Sequence, residues 1–275
     1  MSTKSILITG CSSGIGLHAA LTLAARGYQV FATARKAQDV ADLQAKGLTA
    51  FQLDLTKSES ITQAVVQVLK ETGGRLDYLY NNAAYGQPGA LEDLPTAALR
   101  EQFETNVFGW HELTKQIIPV MKQQGHGRII QCSSVLGFVS MAYRGAYNAS
   151  KYAIEGLTDT LRLELKSANI AVVLLEPGPI NTQFRANALA AIQAHVDIEA
   201  SDHKVQYQQQ IARLSSEKSN APFTLEPLDV TKALIHALES KRPKLRYRIT
   251  TPTKLFAVLK RLLPARWLDY LLAKG

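Results

Sequence analysis

Short apolar runs and amphipathic stretches alternate along almost the whole chain. Ser5-Ile6-Leu7-Ile8-Thr9 is a compact β-type run, and similar runs recur near 28–34, 48–53, 76–81, 127–133, 170–176 and 245–249. Runs of this kind suit strands buried on both faces of a sheet. Between them the apolar positions take up helical spacing, which predicts helices at about 15–26, 37–46, 58–72, 96–123, 146–167 and 227–240. The alternation predicts an α/β fold: seven parallel strands, doubly wound, with helices on both faces. Ligands of such sheets bind beyond the carboxyl ends of the strands, near the switch in strand order, and Asn81, Ser134 and Pro177 all fall at strand ends on that edge. There is no internal repeat and no domain boundary before about residue 250.

Two segments carry chemistry. The first strand runs directly into Gly10-Cys11-Ser12-Ser13-Gly14-Ile15-Gly16 and then into a helical pattern. Glycines here permit a tight turn and a close backbone approach, while the free amides and dipole of the helix start face an anion, so the segment reads as a phosphate site. The spacing is Gly-x-x-x-Gly-x-Gly, distinct from the general Gly-x-Gly-x-x-Gly fingerprint, and a packing turn would look similar. Elsewhere Tyr147 and Lys151 stand one helical turn apart on one face. A cation there favours the phenolate and brings a group with a pKa of about 10 nearer the working range of an acid–base catalyst. Tyr-x-x-x-Lys is common by chance, and its weight comes from the glycine loop in the same chain.

Together these segments resemble the short-chain dehydrogenase/reductase family, motif by motif over roughly residues 4 to 185. Asp54 in Leu53-Asp54-Leu55-Thr56 resembles the family's adenine contact, and Asn81-Asn82-Ala83-Ala84 its Asn-Asn-Ala-Gly segment with Ala84 in place of the glycine. Asn106, Ser134, Tyr147 and Lys151 match its catalytic tetrad, and Pro177-Gly178-Pro179-Ile180-Asn181-Thr182 its nicotinamide-side turn. The resemblance implies a Rossmann-type fold. It places cofactor contacts at Gly10, Ser12, Ser13, Gly14, Ile15, Gly16, Arg35, Asp54, Leu55, Asn82, Ala83, Tyr147, Lys151, Pro177, Gly178, Ile180 and Thr182. It also implies the roles: Tyr147 passes a proton to or from the reacting oxygen, Ser134 hydrogen-bonds that oxygen, Lys151 lowers the tyrosine pKa and holds the nicotinamide ribose, and Asn106 holds a relay water. Ser133 is the rival to Ser134, and the thirteen-residue spacing to Tyr147 favours the latter.

Cofactor choice turns on the end of the second strand. Val30-Phe31-Ala32-Thr33-Ala34-Arg35-Lys36 offers no carboxylate for a ribose 2′-hydroxyl, and the first acid is Asp39. Arg35, helped by Ser12 or Ser13, suits a 2′-phosphate through charge-assisted hydrogen bonds, so NADP(H) is expected ahead of NAD(H). By resemblance, residues of about 183–226 form a lid over the substrate. Its apolar members Phe184, Leu189, Ile192, Val196, Ile198, Val205, Ile211 and Leu214 suit a hydrophobic ligand or ordinary helix packing equally. The overall pattern is nearest to 17β-hydroxysteroid and retinol dehydrogenases, which implies a lipophilic ketone, aldehyde or alcohol. Two other classes stay open, a catalytically idle NADP-binding regulator and a membrane-bound interaction protein. The intact tetrad argues against the first and the complete cofactor site against the second.

Composition narrows the setting. With 275 residues and 46% hydrophobic content the chain can bury one large core, expected over 1–250 with 251–275 as a tail. No apolar run is long enough to span a bilayer and no N-terminal signal is visible, so a cytoplasmic protein is expected. Cys11 and Cys132 have no metal or redox spacing, and the six histidines form no ligand cluster. The net charge of +8 is local: residues 241–275 hold ten Lys and Arg against Asp269, leaving the first 240 residues near neutrality. In that tail Leu255, Phe256, Leu259, Leu262 and Leu263 recur at helical spacing, and after Pro264 so do Trp267, Leu268, Leu271 and Leu272. Basic amphipathic helices of this type either lie on an anionic membrane or dock on the body or a second subunit. No recognition motif accompanies the charge, so nucleic-acid binding is not expected. The family resemblance implies a homodimer or homotetramer built on the helices near 96–123 and 146–167.

Overall fold

The computed structural model describes residues 3–216 and 222–273. Seven parallel strands form one sheet: β1 Ser5–Ile8, β2 Gln29–Ala34, β3 Thr49–Gln52, β4 Tyr78–Asn81, β5 Gly127–Cys132, β6 Ile170–Glu176 and β7 Arg246–Arg248. Their order is β3-β2-β1-β4-β5-β6-β7, so the direction of winding switches between β1 and β4. This is the doubly wound Rossmann-type arrangement that the alternation of runs predicts, and the switch opens a crevice over the carboxyl ends of β1 and β4. Helices α1 Gly14–Ala25, α2 Ala37–Ala45, α3 Ser58–Glu71, α4 Thr96–Phe103, α5 Gly109–Gln123, α6 Gly145–Glu164 and α9 Pro227–Glu239 clothe the sheet. Helices α7 Phe184–His195 and α8 Lys204–Ser215 stand off it as a separate pair. The four residues of β1 are all buried, and the main core joins them to Phe31, Leu79, Ile129, Val172 and Leu174 from neighbouring strands, with Trp110 and Leu234 from the helices above and below.

The single helix expected over 96–123 is divided. Between α4 and α5 the turn Glu104–Phe108 is a π-helix. It carries Asn106, whose Nδ2 donates to the Tyr85 carbonyl at 2.9 Å and to Ser150 Oγ at 3.2 Å, while Oδ1 accepts from the Tyr85 amide at 3.2 Å. An inserted residue of this kind recurs at functional sites because it re-aims a side chain without ending the helix. At Gly109 the next turn passes so close to the β3–α3 loop that a Cβ would lie 2.2 Å from the Leu55 carbonyl oxygen.

Beyond β7 the tail forms α10 Thr251–Leu262 and α11 Ala265–Leu272. Thr250 caps α10, accepting from the Thr253 amide at 3.4 Å, and Pro252 and Pro264 stand where helices begin. One side of this pair docks: Phe256, Leu268 and Leu272 pack with Leu136, Val139, Met141 and Tyr147. The other side faces outward with Leu255, Val258, Leu262, Trp267 and Leu271 exposed. Among the described residues no helix is long and apolar enough to cross a membrane.

Candidate active site

The glycine loop is shaped by close contact. Gly10 has φ +71°, and a Cβ there would lie 2.6 Å from the Ala83 Cα; a Cβ on Gly16 would lie 2.1 Å from the Gly10 carbonyl oxygen. Thr9 and Asn82 lock β1 to β4 across this turn. The Asn82 and Ala83 amides both donate to Thr9 Oγ1 at 2.9 Å, and Asn82 Nδ2 donates to the carbonyls of Thr9 and Gly10 at 3.0 and 3.2 Å. The first turn of α1 contains no acid, and Ser13, its N-cap, makes no side-chain cap bond. Its unpaired amides therefore face the crevice and suit a dinucleotide's pyrophosphate. Gly14 comes within contact of Thr182, since a Cβ there would lie 3.0 Å from that side chain. The loop and the Pro177–Thr182 turn thus face each other.

That second turn is braced from behind. The Pro177 carbonyl accepts from the Val135 amide at 2.8 Å, and Pro179 and Asn181 pair with Leu225. A Cβ on Gly178 would lie 2.1 Å from Thr250 Oγ1, so the start of α10 is in direct contact with the turn. Ile180 is half-buried against the core and bridges Leu225. At the far end of the crevice Arg35 is exposed, its carbonyl held by Gln52 Nε2 at 2.9 Å, and Ser12 is exposed beside the loop. Asp54 is partly buried, accepts from the Thr56 amide and hydroxyl at 3.0 and 2.7 Å, and is followed by the buried Leu55.

Tyr147, Lys151 and Glu155 lie one turn apart along α6. Lys151 Nζ is fully enclosed. It donates to the Cys132 carbonyl at 2.7 Å and sits 4.5 Å from the centre of the Trp110 ring and 5.6 Å from that of Tyr147. Trp110 is fixed in turn by donating to the Ala83 carbonyl at 2.7 Å. Burial brings Lys151 down to about 8, against the pull of Cys132 and Glu155. Tyr147 behaves differently from the expectation that Lys151 lowers it. Burial, reinforced by Cys132, pushes the phenol well above its usual range, with the Ser134 hydroxyl and the Arg144 cation working the other way. The Lys151 ammonium is directed to a carbonyl and an indole face, and loss of water around the phenol is the largest cause of its shift.

Ser134 is buried at the start of a 3₁₀ turn, Val135–Gly137, and accepts from the Leu136 amide at 3.1 Å. Ser133 lies toward Glu155: both Ser133 Oγ and Glu155 Oε1 lie within 3.0 Å of where a Cβ on Gly137 would stand. Over Tyr147 lies Phe184, the first residue of α7, its ring 5.3 Å away in an edge contact and close against Gly86. The other apolar residues of the lid segment mostly pack on one another: Ile192, Val196 and Tyr207 are buried with Ala90, joined by Leu189, Ile198 and Ile211, while Leu214 is buried and Val205 exposed. Residues 217–221 of that segment lie outside the described residues.

The structure thus gathers Ser134, Tyr147 and Lys151 on one wall, with Asn106 behind it and the glycine loop, Asn82, Ala83 and Thr182 opposite. The profile of short chain dehydrogenases matches residues 4–193. The chain belongs to the short-chain dehydrogenase family. Uncharacterized oxidoreductase YbbO of Escherichia coli K12 is 43% identical over 269 residues, spanning 98% of this chain and 94% of that one. Human retinol dehydrogenase 8 is 36% identical over 253 residues, spanning 88% and 80% respectively. A short-chain dehydrogenase from Streptomyces avermitilis superimposes with a TM-score of 0.77 at 30% identity, over 95% of this chain and 94% of its own. As a member of this family the protein is an oxidoreductase that uses an NAD(P)-type dinucleotide on a small organic substrate. Sequence reasoning missed Trp110, Arg144 and Gly86, which act through space on Lys151 and Tyr147. Neither spacing nor motif marks them, and only the neighbourhood of Gly86 to Asn81-Asn82-Ala83 was a signal.

Proposed function

We propose that the protein interconverts a carbonyl and an alcohol on a lipophilic small molecule using NADP(H), with Tyr147 as the general acid and base. The observation that carries this reading is the wall formed by Ser134, Tyr147 and Lys151 beneath the aromatic ring of Phe184. When bound, the dinucleotide supplies or accepts hydride. Tyr147, still protonated at neutral pH, gives its phenolic proton to the carbonyl oxygen, and Ser134 hydrogen-bonds that oxygen. Lys151 keeps a cation near the phenolate that results, and Asn106, clamped on Tyr85, orders the rear of the site for proton return. The apolar surroundings of Tyr147 (Leu136, Val139 and Phe256) exclude water and favour an alkyl or ring substituent. The 36% identity to human retinol dehydrogenase 8 supports a hydrophobic substrate of that general kind.

NADP(H) is favoured because Arg35 ends β2 exposed toward the crevice with no acid beside it. We further assign an intracellular setting, a second copy of the chain against exposed Leu157 and Leu163 of α6, and a lipid surface against the outer side of α10 and α11. The deciding experiment follows loss of NADPH and NADH with hydrophobic aldehydes, ketones and quinones, in wild type and Tyr147→Phe. Turnover should fall by about two orders of magnitude or more in the variant, the scale of general acid–base assistance, with cofactor affinity nearly unchanged. Near-normal turnover would remove Tyr147 from this role.

A further inference from the structure

Beside Tyr147 the start of α6 and the lid bring together three arginines that no carboxylate neutralises among the described residues. Arg144 stands at the N-cap of α6, three residues before Tyr147, and among the described residues its guanidinium donates to Met141 Sδ, at 3.1 Å. Arg185 follows Phe184 on α7; its Nη2 donates to Ser216 Oγ at 2.7 Å, while its Nε is buried without a partner. Ser216 Oγ in turn donates to the Arg213 carbonyl at 3.0 Å, tying Arg185 to the end of α8. The Arg213 guanidinium has Gln210 Oε1 for company, at 3.0–3.1 Å. None of the three forms an ion pair with a carboxylate among the described residues, whereas Arg26, Arg162, Arg246 and Arg248 all do.

Ser216 links Arg185 to the end of α8, and Tyr143, next to Arg144, packs its ring against His203 and Tyr207 at the start of the same helix, so the three side chains converge on α8. Partial burial, then the cations of Arg144 and Arg185, bring Arg213 down to about 10. Burial lowers Arg144 as well, and that cation acts on the Tyr147 phenol. Gathering like charges raises the free energy of the folded protein unless an anion joins them, most where the side chains are partly buried, as Arg144 and Arg185 are. Guanidinium groups with unused N–H donors match the two oxygens of a carboxylate or the several oxygens of a phosphate.

We propose that Arg144, Arg185 and Arg213 form an oxyanion subsite for the substrate, which is therefore an amphiphile: an alkyl carbonyl compound or alcohol that also carries a carboxylate or phosphate group. The proposal deepens the reading of Tyr147 as the proton-transfer residue and depends on it for the word substrate. The apolar part of the molecule would lie against Phe184 and the Leu136–Val139 cluster, and the anion would anchor it at the lid.

The test compares straight-chain oxo-carboxylic acids with their methyl esters, and oxo-alkyl phosphates with the corresponding alcohols, using the full chain and NADPH. The expected result is a preference in kcat/KM of about tenfold or more for the charged member of at least one pair, lying mainly in KM, with the preferred pair separating carboxylate from phosphate. Arg185→Gln and Arg213→Gln should collapse that ratio toward one, and Arg213→Lys should restore part of it. Equal use of charged and neutral members would overturn the proposal. So would variants that weaken NADPH itself as much as the acid, because the arginines would then serve the cofactor. A thermal-shift titration with saturated alkyl carboxylates and alkyl phosphates, which cannot be reduced, keeps the two readings separable. Stabilisation that the arginine variants abolish supports the subsite even if no carbonyl is turned over, and absence of stabilisation by either series overturns it even if neutral ketones are reduced.

Discussion

At the residue scale, the cofactor preference and the buried charges give the sharpest expectations. If Arg35 grips a 2′-phosphate, Arg35→Asp replaces attraction by repulsion and should weaken NADPH far more than NADH. Equal weakening of both would show a structural role, and a wild-type preference for NADH would end the argument. Glu155 offers a second test. It is buried one turn past Lys151 between Ser133 and Arg246 Nη1, which also binds Glu176 Oε1 at 3.1 Å, while Arg246 Nη2 pairs with Asp159. Burial, and then the repulsion of Glu176, raises Glu155 from 4.5 to about 7. A raised carboxyl binds protons more readily in the folded chain, so its contribution to stability is complete below pH 4.5 and is lost as pH rises through about 7. Asp159 and Asp77 shift downward, so their losses come below 3.8 and do not mask this window. Unfolding free energy should therefore decline from pH 5 toward pH 8, by an amount on the order of 3 kcal/mol at most, and melting temperature should fall with it. Glu155→Gln should flatten that decline, and an unchanged slope would assign it to other groups. The one-turn spacing of Tyr147 and Lys151 was legible in the sequence, and it carried weight through the glycine loop in the same chain. The sign of the shift at Tyr147 was not legible, because it depends first on how deeply the phenol is buried, and that is set by separate elements that pack around it.

At the scale of elements, the period of apolar residues located each strand and each sheet-covering helix, because burial on one or both faces writes itself into that period. It did not reveal the π-turn at Glu104–Phe108. A single inserted residue advances the helical phase without ending the helix, so the pattern over 96–123 reads as continuous. The lid was equally opaque. Ile192 and Val196 proved to be packing residues against Ala90 and Tyr207, whereas Phe184 alone meets Tyr147, and all are apolar at similar spacing. The π-turn makes a prediction of its own. Asn106 accepts from the Tyr85 amide, while the Tyr85 carbonyl also accepts from Gln102 Nε2 at 2.8 Å, so Asn106→Ala leaves the amide as the backbone group that loses its partner. Stability should fall by roughly 1–3 kcal/mol, the scale of one unsatisfied buried group. Exchange of the Tyr85 amide should quicken by more than that of amides in β4. Uniform protection across both would mean that the clamp is not what holds the loop.

At the scale of the whole molecule, the tail joins what the sequence left as alternatives. Its inner face is part of the protein: Leu268 and Leu272 pack beside Leu136 and Val139, and Thr250 and Thr253 press on Gly178 in the turn that faces the glycine loop. Its outer face is open among the described residues: Leu262 is 72% and Trp267 65% exposed, with Lys254, Arg261 and Arg266 exposed beside that apolar stripe. Exposed aromatic and aliphatic side chains among cations fit an anionic bilayer, where each cation near the surface contributes about 1 kcal/mol. The two faces should separate by mutation. Leu268→Ala should lower the melting temperature and leave vesicle binding in place. Leu262→Glu with Trp267→Glu should abolish co-sedimentation with anionic vesicles while the melting temperature and turnover of a water-soluble carbonyl stay as they were. In lipid-free protein Trp267 should emit as a solvated indole, read as the difference between wild type and Trp267→Phe so that buried Trp110 cancels. It should shift to the blue with anionic vesicles, less so at high salt, because screening shortens the reach of the tail's charge. A blue-shifted difference spectrum already present without lipid, together with a dimer that Trp267→Glu dissociates, would assign the outer face to a second copy of the chain in place of a membrane.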